Sequence, residues 1–161
     1  MRGQLPPSAV TLRLAQTIPT LRALTAGIEQ DAWLFRPDPG EWSATEIICH
    51  LRDVDRRVHL PRLQSFFTED EPFIPGVVAD KWAIEHNYQA QDGPAALDAL
   101  DAARAELLAL LPPESDPVWG RRGRHTFFGP TGFLELVCLV LEHDKIHIEQ
   151  LQETLGLVLS D

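Results

Sequence analysis

Apolar residues recur at helical spacing in four long stretches of this sequence. In the first stretch, residues 8–29, Pro19 predicts a kink or a split, because proline removes a backbone hydrogen bond from a helix interior. The second stretch, residues 43–67, begins with Ser43 followed three positions later by Glu46, which is the capping-box pattern of a helix start. Both stretches are therefore predicted to be helical, the first with an interruption.

The third and fourth stretches are also well bounded. The third, residues 94–111, has proline in its first turn, is rich in Ala and Leu, and is stopped by the two prolines that follow it. The fourth, residues 131–156, is apolar on nearly every side over residues 133–141. We therefore expect the fourth helix to be the most buried of the four.

Two irregular segments separate these helices. Residues 68–93 form a long excursion between the second and third helices, with a possible short helix over residues 80–89, and such excursions often cover a binding site. Residues 120–132 are too rich in glycine for a helix and predict a short hairpin before the last helix. The sequence thus predicts an all-α fold, in which residues 1–161 form a single domain folded as an antiparallel four-helix bundle.

Charge and composition exclude two classes of partner. The net charge is −10, and nucleic-acid binding needs clustered cations that this chain mostly lacks. The one basic cluster, Arg121, Arg122 and Arg124, lies in a glycine-containing segment and is most simply a solvated loop. The longest apolar run, residues 136–141, is far too short to span a membrane. We therefore expect neither a nucleic-acid partner nor a membrane span.

The cysteines and the N-terminal residues point to a compartment. Cys49 and Cys138 lie in apolar helical stretches, where a reduced cysteine packs as a small hydrophobic residue. Two cysteines are too few for a disulfide framework, and the N-terminal residues contain no uninterrupted apolar segment of the kind found in signal peptides. A cytoplasmic location is therefore expected.

The last helix carries a histidine pair. His143 and His147 are four positions apart and so lie about 40° apart on one helix face, one turn above the other. Apolar residues continue this stripe in both directions, so both imidazoles point inward, where each nitrogen needs a partner. A metal ion is one such partner, whereas the alternative is one satisfied core histidine and one solvated histidine. Asp144 stands where the H-E-x-x-H pattern of zinc proteases has glutamate, which argues against metalloprotease activity.

A third inward histidine favours the metal interpretation. His50 lies midway along the second helix, and facing helices of a bundle are about 8–10 Å apart. The sequence thus predicts one metal ion held by His50, His143 and His147. Glu46 and Asp53 lie one turn on either side of His50, where one of them could accept the free imidazole N–H, or where both could belong to a solvated face.

The other histidines and the large aromatic residues are weaker candidates. His59 is nine positions after His50, about 180° around an α-helix, and is expected to face away from the site. His86 and His125 fall in the excursion and the hairpin, where a surface position is favoured although either could reach the metal. Core packing is likewise favoured over lining a pocket for four aromatic residues: Trp42, Trp82, Tyr88 and Trp119.

Four segments occur in an order that resembles the DinB-like superfamily, a group of bacterial metal-binding four-helix bundles distinct from the DNA polymerase of that name. They are WSATEIICHLRDVD in the second helix, KWAIEHNY in the excursion, RHTFFGPTG in the hairpin and EHDKIHIEQL in the last helix. The resemblance implies that the metal ligands are His50, His143 and His147. It also implies a divalent ion, with Zn or Ni favoured and Fe, Mn or Co as further candidates, and frequent homodimers.

Function follows less directly from the resemblance than the fold does. Characterised members of the family imply thiol-dependent transferase or related chemistry on small molecules, with a low-molecular-weight thiol as a candidate cofactor. Three neutral histidine ligands leave at least one open coordination position, which is typical of a catalytic metal site. We therefore place a metal-dependent thiol transferase ahead of a metal-dependent binding or stress-response module without turnover, and both ahead of a metal that only stabilises the bundle. Catalytic and substrate-binding residues are not assigned by the sequence.

Overall fold

The computed structural model describes residues 4–157, most of which are helical. The N-terminal segment contains α1 (Pro7–Leu14), α2 (Thr17–Thr25) and α3 (Gln30–Leu34). The three other long segments are α4 (Ala44–Val54) with its continuation α5 (Leu60–Thr68), then α7 (Gly93–Leu110), and finally α8 (Phe133–Thr154). The excursion between α5 and α7 contains strand β1 (Phe73–Ile74), helix α6 (Trp82–Glu85) and a short 3₁₀ turn (Tyr88–Ala90). Within residues 4–157, none of the helices is long and apolar enough to cross a membrane.

The predicted interruption of the first helix is present, slightly before the proline. Helix α1 ends at Leu14 and α2 begins at Thr17, so Pro19 lies in the first turn of α2. The N–H groups of a first helical turn have no partner within the helix, and proline is therefore tolerated there.

The second helical segment starts as predicted and then changes its winding. The Ser43 side chain accepts from the Glu46 N–H while the Glu46 carboxylate accepts from the Ser43 N–H, which completes the capping box. Between α4 and α5, residues Asp55–His59 form a π-helical turn in which the Leu60 N–H reaches back to the Asp55 carbonyl. A π turn inserts about one residue, which rotates every later side chain by roughly 100° relative to an unbroken α-helix.

The predicted hairpin is present and is extended by a third strand. Strand β2 (Arg122–His125) pairs antiparallel with β3 (Gly129–Gly132), and β1 adds parallel to the other edge of β2. A Cβ atom at Gly123 would lie 2.7 Å from the Pro72 carbonyl oxygen, so glycine allows this close approach. The sheet links the excursion, through β1, to the hairpin that leads into α8.

The core consists of two apolar clusters with a polar layer between them. One cluster surrounds Ile47, Leu51 and Leu100, and the other surrounds Leu63, Leu107 and Val137. Each helical segment contributes a buried polar side chain between its residues in the two clusters, as listed here: Thr17, Asp55, Arg104 and Asp144. Their hydrogen bonds link α2, the π turn, α7 and α8, and the histidines described below lie in the same layer.

The expectation that the last helix is the most buried is wrong. In α4, 10 of 11 residues are buried, whereas in α8 the figure is 7 of 22. The apolar residues of α8 do continue around the helix, but Leu139 and Ile146 are exposed. Helix α4 is instead covered by α7, by α8 and by the excursion.

Candidate metal centre

Three histidines meet in the polar layer, on the facing sides of α4 and α8. The Nε2 atoms of His50 and His143 are 3.1 Å apart, and the imidazole centroid of His147 lies 4.6 Å from that of His50 and 4.5 Å from that of His143. One nitrogen from each ring lies within 4.8 Å of the nitrogens of the other two. The structure therefore brings together the three residues that the sequence predicted as a ligand set.

Burial keeps these imidazoles neutral. Burial, followed by the charges of His147 and His143, lowers the pKa of His50 to about 3. Burial and then the charge of His147 lower the pKa of His143 to about 4, and burial also lowers the pKa of His147. A neutral imidazole offers a lone pair to a metal ion. Three neutral imidazoles with one nitrogen each in close proximity could therefore hold a divalent cation.

His147 is held in position by Gln150, which lies one turn further along α8. The Nδ1 atom of His147 is 2.7 Å from the Oε1 atom of Gln150. Because that oxygen can only accept, Nδ1 carries the proton and Nε2 is left free to bind a metal. This contact was not predicted from the sequence, although a spacing of three positions on one helix is a signal that could have identified it.

The carboxylates of Glu46 and Asp53 serve other partners. Glu46 completes the capping box and accepts from Arg36 at 2.6 Å, and Asp53 accepts from Arg52 and from the Tyr88 hydroxyl. Among the described residues, the Nδ1 of His50 has no hydrogen-bond partner. Neither carboxylate therefore makes the predicted hydrogen bond with His50. Both acids are nevertheless buried, so the alternative of a solvated face is wrong as well.

The three histidines form part of the wall of a pocket of about 440 Å³. Its other walls come from the residue that precedes the N-cap of α4, from the α4 to α5 segment and from the excursion. The residues are Trp42, Val54, Val58, His59, Arg62, Val77, Val78, Ala79 and Asp80. The excursion therefore lies beside the site, as its length suggested. The volume is in the range of small-molecule binding sites.

The expectation that His59 faces away from the site is wrong. His59 lines the pocket, and its ring centroid is 5.3 Å from that of His143 in an edge-to-face arrangement. The prediction assumed a regular α-helix from His50 to His59. The π turn adds about one residue between them and so rotates His59 toward the site. Burial, followed by the charge of His143, lowers the pKa of His59 well below its ordinary value.

The structure separates the remaining sequence candidates. Trp42 lines the pocket, and its ring centroid is 4.9 Å from that of His50. Trp82, Tyr88 and Trp119 pack against the core clusters, as favoured from the sequence. His86 lies near Arg57, and His125 is buried in the hairpin, where its Nδ1 accepts from two backbone N–H groups. The surface position favoured for His125 is therefore wrong, and neither histidine lines the pocket.

Two further residues near the ligands have structural positions. The Asp144 carboxylate accepts from Arg104 and from the Thr17 hydroxyl in the core, away from the pocket. It therefore cannot replace the glutamate base of zinc proteases. Cys49 packs in the core, and burial raises the pKa of its thiol to about 11. The three arginines of the basic cluster are exposed, as expected, but Arg122 and Arg124 lie in strand β2 and not in a loop. None of the three lines the pocket.

These features define a four-helix bundle with a three-histidine cluster that could hold a metal ion. The chain belongs to the DinB superfamily, whose family model matches residues 13–151. The predicted resemblance and the predicted all-α bundle are thereby confirmed.

Among solved structures, YfiT from Bacillus subtilis is similar, with a TM-score of 0.80 and 18% sequence identity. The match covers 92% of this chain and 85% of YfiT, which is described as a probable metal-dependent hydrolase with an unusual four-helix bundle topology. At this identity the likeness supports the fold. Among curated proteins, none matches the sequence.

Proposed function

We propose that this protein is a metal-dependent enzyme acting on small molecules, and that His50, His143 and His147 hold its one divalent ion. The observation that carries the proposal is the convergence of three neutral imidazoles on the wall of a 440 Å³ pocket. Within the described residues, no fourth His, Cys, Asp or Glu joins the cluster. A site with three protein ligands keeps a position for water or substrate, whereas a structural site is usually closed by a fourth. Zn or Ni is the favoured ion, with Fe, Mn or Co as further candidates.

The reaction we favour is transfer of a low-molecular-weight thiol to a small electrophile. A bound divalent ion would supply the thiolate at neutral pH, where a free thiol with a pKa near 8.5 is mostly protonated. The S–H proton leaves to solvent, a new bond forms between sulfur and the electrophilic carbon, and the leaving group departs with its electron pair. The histidines would hold the ion that binds the sulfur, and Trp42, Val77 and Val78 provide apolar surface beside it for the electrophile.

Among the described residues, the pocket has no buried carboxylate that could act as a base, which supports a thiol over water as the nucleophile. Among the residues that line the pocket, the one carboxylate is that of Asp80, which is exposed. Asp144 is occupied in the core by Arg104. Hydrolysis, the activity suggested for YfiT, would use the same open position for water but gains from a carboxylate base, as in zinc proteases. A thiol needs no such base once it is bound as thiolate.

The test is a spectroscopic titration of the Co(II)-loaded protein with cysteine, glutathione, bacillithiol and mycothiol. We expect at least one of them to produce a thiolate-to-cobalt charge-transfer band that saturates at one equivalent. The same titration of His86→Ala should give the same band, because His86 lies outside the pocket. If none of the four thiols gives a band, thiol transfer is rejected and the non-catalytic binding or stress-response module becomes the leading function.

We also propose that the protein forms a homodimer through the exposed side of α8. Leu139 and Ile146 are exposed there, and Phe127 and Phe128 of the hairpin expose further apolar area. Apolar surface of this kind favours association. Sedimentation at tens of micromolar should show a dimer, and Leu139→Asp should shift it toward monomer while Lys145→Asp, on the same helix, should not. A monomeric wild-type protein at that concentration would rule the dimer out.

A cytoplasmic location is the third part of the proposal. Both cysteines are free, Cys49 is buried in the core, and burial raises the pKa of both thiols. Such thiols behave as packing residues rather than as partners in disulfides.

Small molecules, and not nucleic acids, are the proposed ligands because the chain is strongly acidic.

A further inference from the structure

Arg62 is an unusual cation in this protein. It lines the pocket together with the three histidines, and in the described part of the chain no carboxylate lies within ion-pair distance of it. Burial alone shifts its pKa, and the shift is downward, whereas carboxylate partners raise the pKa of Arg22, Arg36 and Arg104. A partly buried guanidinium without an acidic partner is costly unless a ligand supplies the anion.

Unsatisfied nitrogen atoms lie at the same end of the pocket. The Nε of Arg62 and the Nε2 of His59 are both buried and, among residues 4–157, have no hydrogen-bond partner. The two residues are three positions apart in the helical segment, which places them on neighbouring positions of one face. Both line the pocket that contains the three histidines and also a second, small cleft. Buried polar atoms are normally paired, so two unpaired ones on one pocket wall indicate a missing ligand.

The charges around the pocket are also unbalanced. An imidazole that binds a metal ion does so as the uncharged ring, so a divalent ion held by three histidines would keep its full charge, and Arg62 adds another positive charge. The opposing group in the pocket lining is Asp80, which is solvent-exposed. A small molecule that carries a donor atom for the metal and a separate anionic group would balance both centres.

We infer that Arg62 and His59 form an anion subsite that binds a carboxylate of the small molecule held at the metal. The inference rests on the proposed metal site and deepens it by naming the substrate class: a small thiol or acceptor with a carboxylate beyond its reacting group. Arg62 presents its guanidinium Nε to one carboxylate oxygen, and His59 Nε2 donates to the carboxylate from the side next to His143. The basic cluster of Arg121, Arg122 and Arg124 does not line the pocket and is not part of this subsite.

Arg62 also has a structural contact that the experiment must separate from ligand binding. Its Nη2 donates to the Pro75 carbonyl at 2.7 Å and so ties α5 to the excursion. A purely structural loss would weaken the binding of every ligand by a similar factor. Loss of a carboxylate contact would weaken only the ligand that carries the carboxylate. The ratio of two affinities therefore distinguishes the two roles.

The first arm uses the Co(II)-loaded protein and two thiols, 3-mercaptopropionate and 2-mercaptoethanol, with Kd taken from the charge-transfer band. We expect the wild-type protein to prefer the carboxylate-bearing thiol by about 10-fold or more, as for a charge-assisted hydrogen bond. Arg62→Gln should remove the preference, and Arg62→Lys should keep part of it. Arg56→Gln, which removes one exposed cation from the same segment, should leave the preference unchanged. A ratio that is the same in Arg62→Gln and in the wild type overturns the inference.

The second arm keeps the inference testable if thiols do not bind. Calorimetry on the Zn-loaded protein compares succinate with butyrate, which has the same chain length but one carboxylate fewer. Tighter binding of succinate that is lost in Arg62→Gln supports the anion subsite even though thiol transfer has failed. Equal affinities of the two acids for the wild-type protein overturn it. Thermal unfolding of each variant shows whether the Pro75 contact has been lost as well.

Discussion

His143→Ala is expected to lose its stoichiometric metal while keeping its helical fold. Structural zinc sites with four ligands contribute about 10–16 kcal/mol, so each ligand accounts for roughly 3 kcal/mol and its loss should weaken metal binding by ~100-fold or more. The fold should remain because neither apolar cluster includes any of the three histidines. Metal content after dialysis, measured by mass spectrometry, together with circular dichroism, tests both statements.

Two variants make this test specific. His86→Ala removes a histidine that lies outside the pocket, and it should bind metal as the wild type does. Gln150→Leu removes the acceptor for the Nδ1 proton of His147, and a loss of about 10–100-fold is typical when such a supporting contact is removed. A His143→Ala protein that still held one equivalent of metal would contradict the assignment of the ligands.

The helices and the histidine cluster could be predicted from the sequence because they depend on local periodicity. A spacing of four positions fixes the relative direction of His143 and His147 in any straight α-helix. The stripe of apolar residues around them directs both rings toward the core, and a bundle then brings His50 within reach. None of these steps needs knowledge of distant contacts.

Periodicity fails where the helix does not keep its regular winding. A regular spacing of 3.6 residues per turn does not predict the π turn at Asp55–His59. This turn changes the direction of both the His59 and the Arg62 side chains. The part of the pocket wall formed by His59 and Arg62 was therefore not predicted. Distant contacts were missed for a different reason, since a carboxylate one turn from His50 can bind any of several partners. Glu46 binds Arg36, and Asp53 binds Tyr88, a residue 35 positions away in sequence.

The two sides of the polar layer have different roles, although both lie at the same level of the core. On the pocket side, the histidines have unpaired nitrogens and are suited to a ligand. On the other side, Arg104 donates to both Asp55 and Asp144, and Thr17 donates to Asp144, so the carboxylates are paired with groups of the protein. Asp144 follows His143 directly in α8, which means that this network fixes the helix segment that carries two of the three histidines.

Arg104→Ala is expected to destabilise the metal-free protein by about 3–5 kcal/mol, the usual effect of removing one partner from a buried ion pair. Arg104, Asp55 and Asp144 are each about 1% exposed, so the variant leaves two carboxylates in the core without their cation. Arg22→Ala is the matched control: Arg22 also joins two carboxylates, those of Asp98 and Asp101, but at the surface, where such pairs contribute about 0–1 kcal/mol. Urea unfolding at pH 7 in the presence of a chelator measures both.

The deficit of Arg104→Ala should also depend on pH in a defined direction. Burial already raises the pKa of Asp55 while Arg104 acts to lower it, so removing Arg104 raises that pKa further. The folded variant then binds more protons than the unfolded chain, and its stability relative to wild type should fall as the pH rises and recover as the pH falls toward the raised pKa. Urea unfolding of the variant and the wild type at pH 5 and pH 7 should therefore give the smaller difference at pH 5. An equal difference at both pH values, or a loss no greater than that of Arg22→Ala, would show that the carboxylates are not held as buried ions by Arg104.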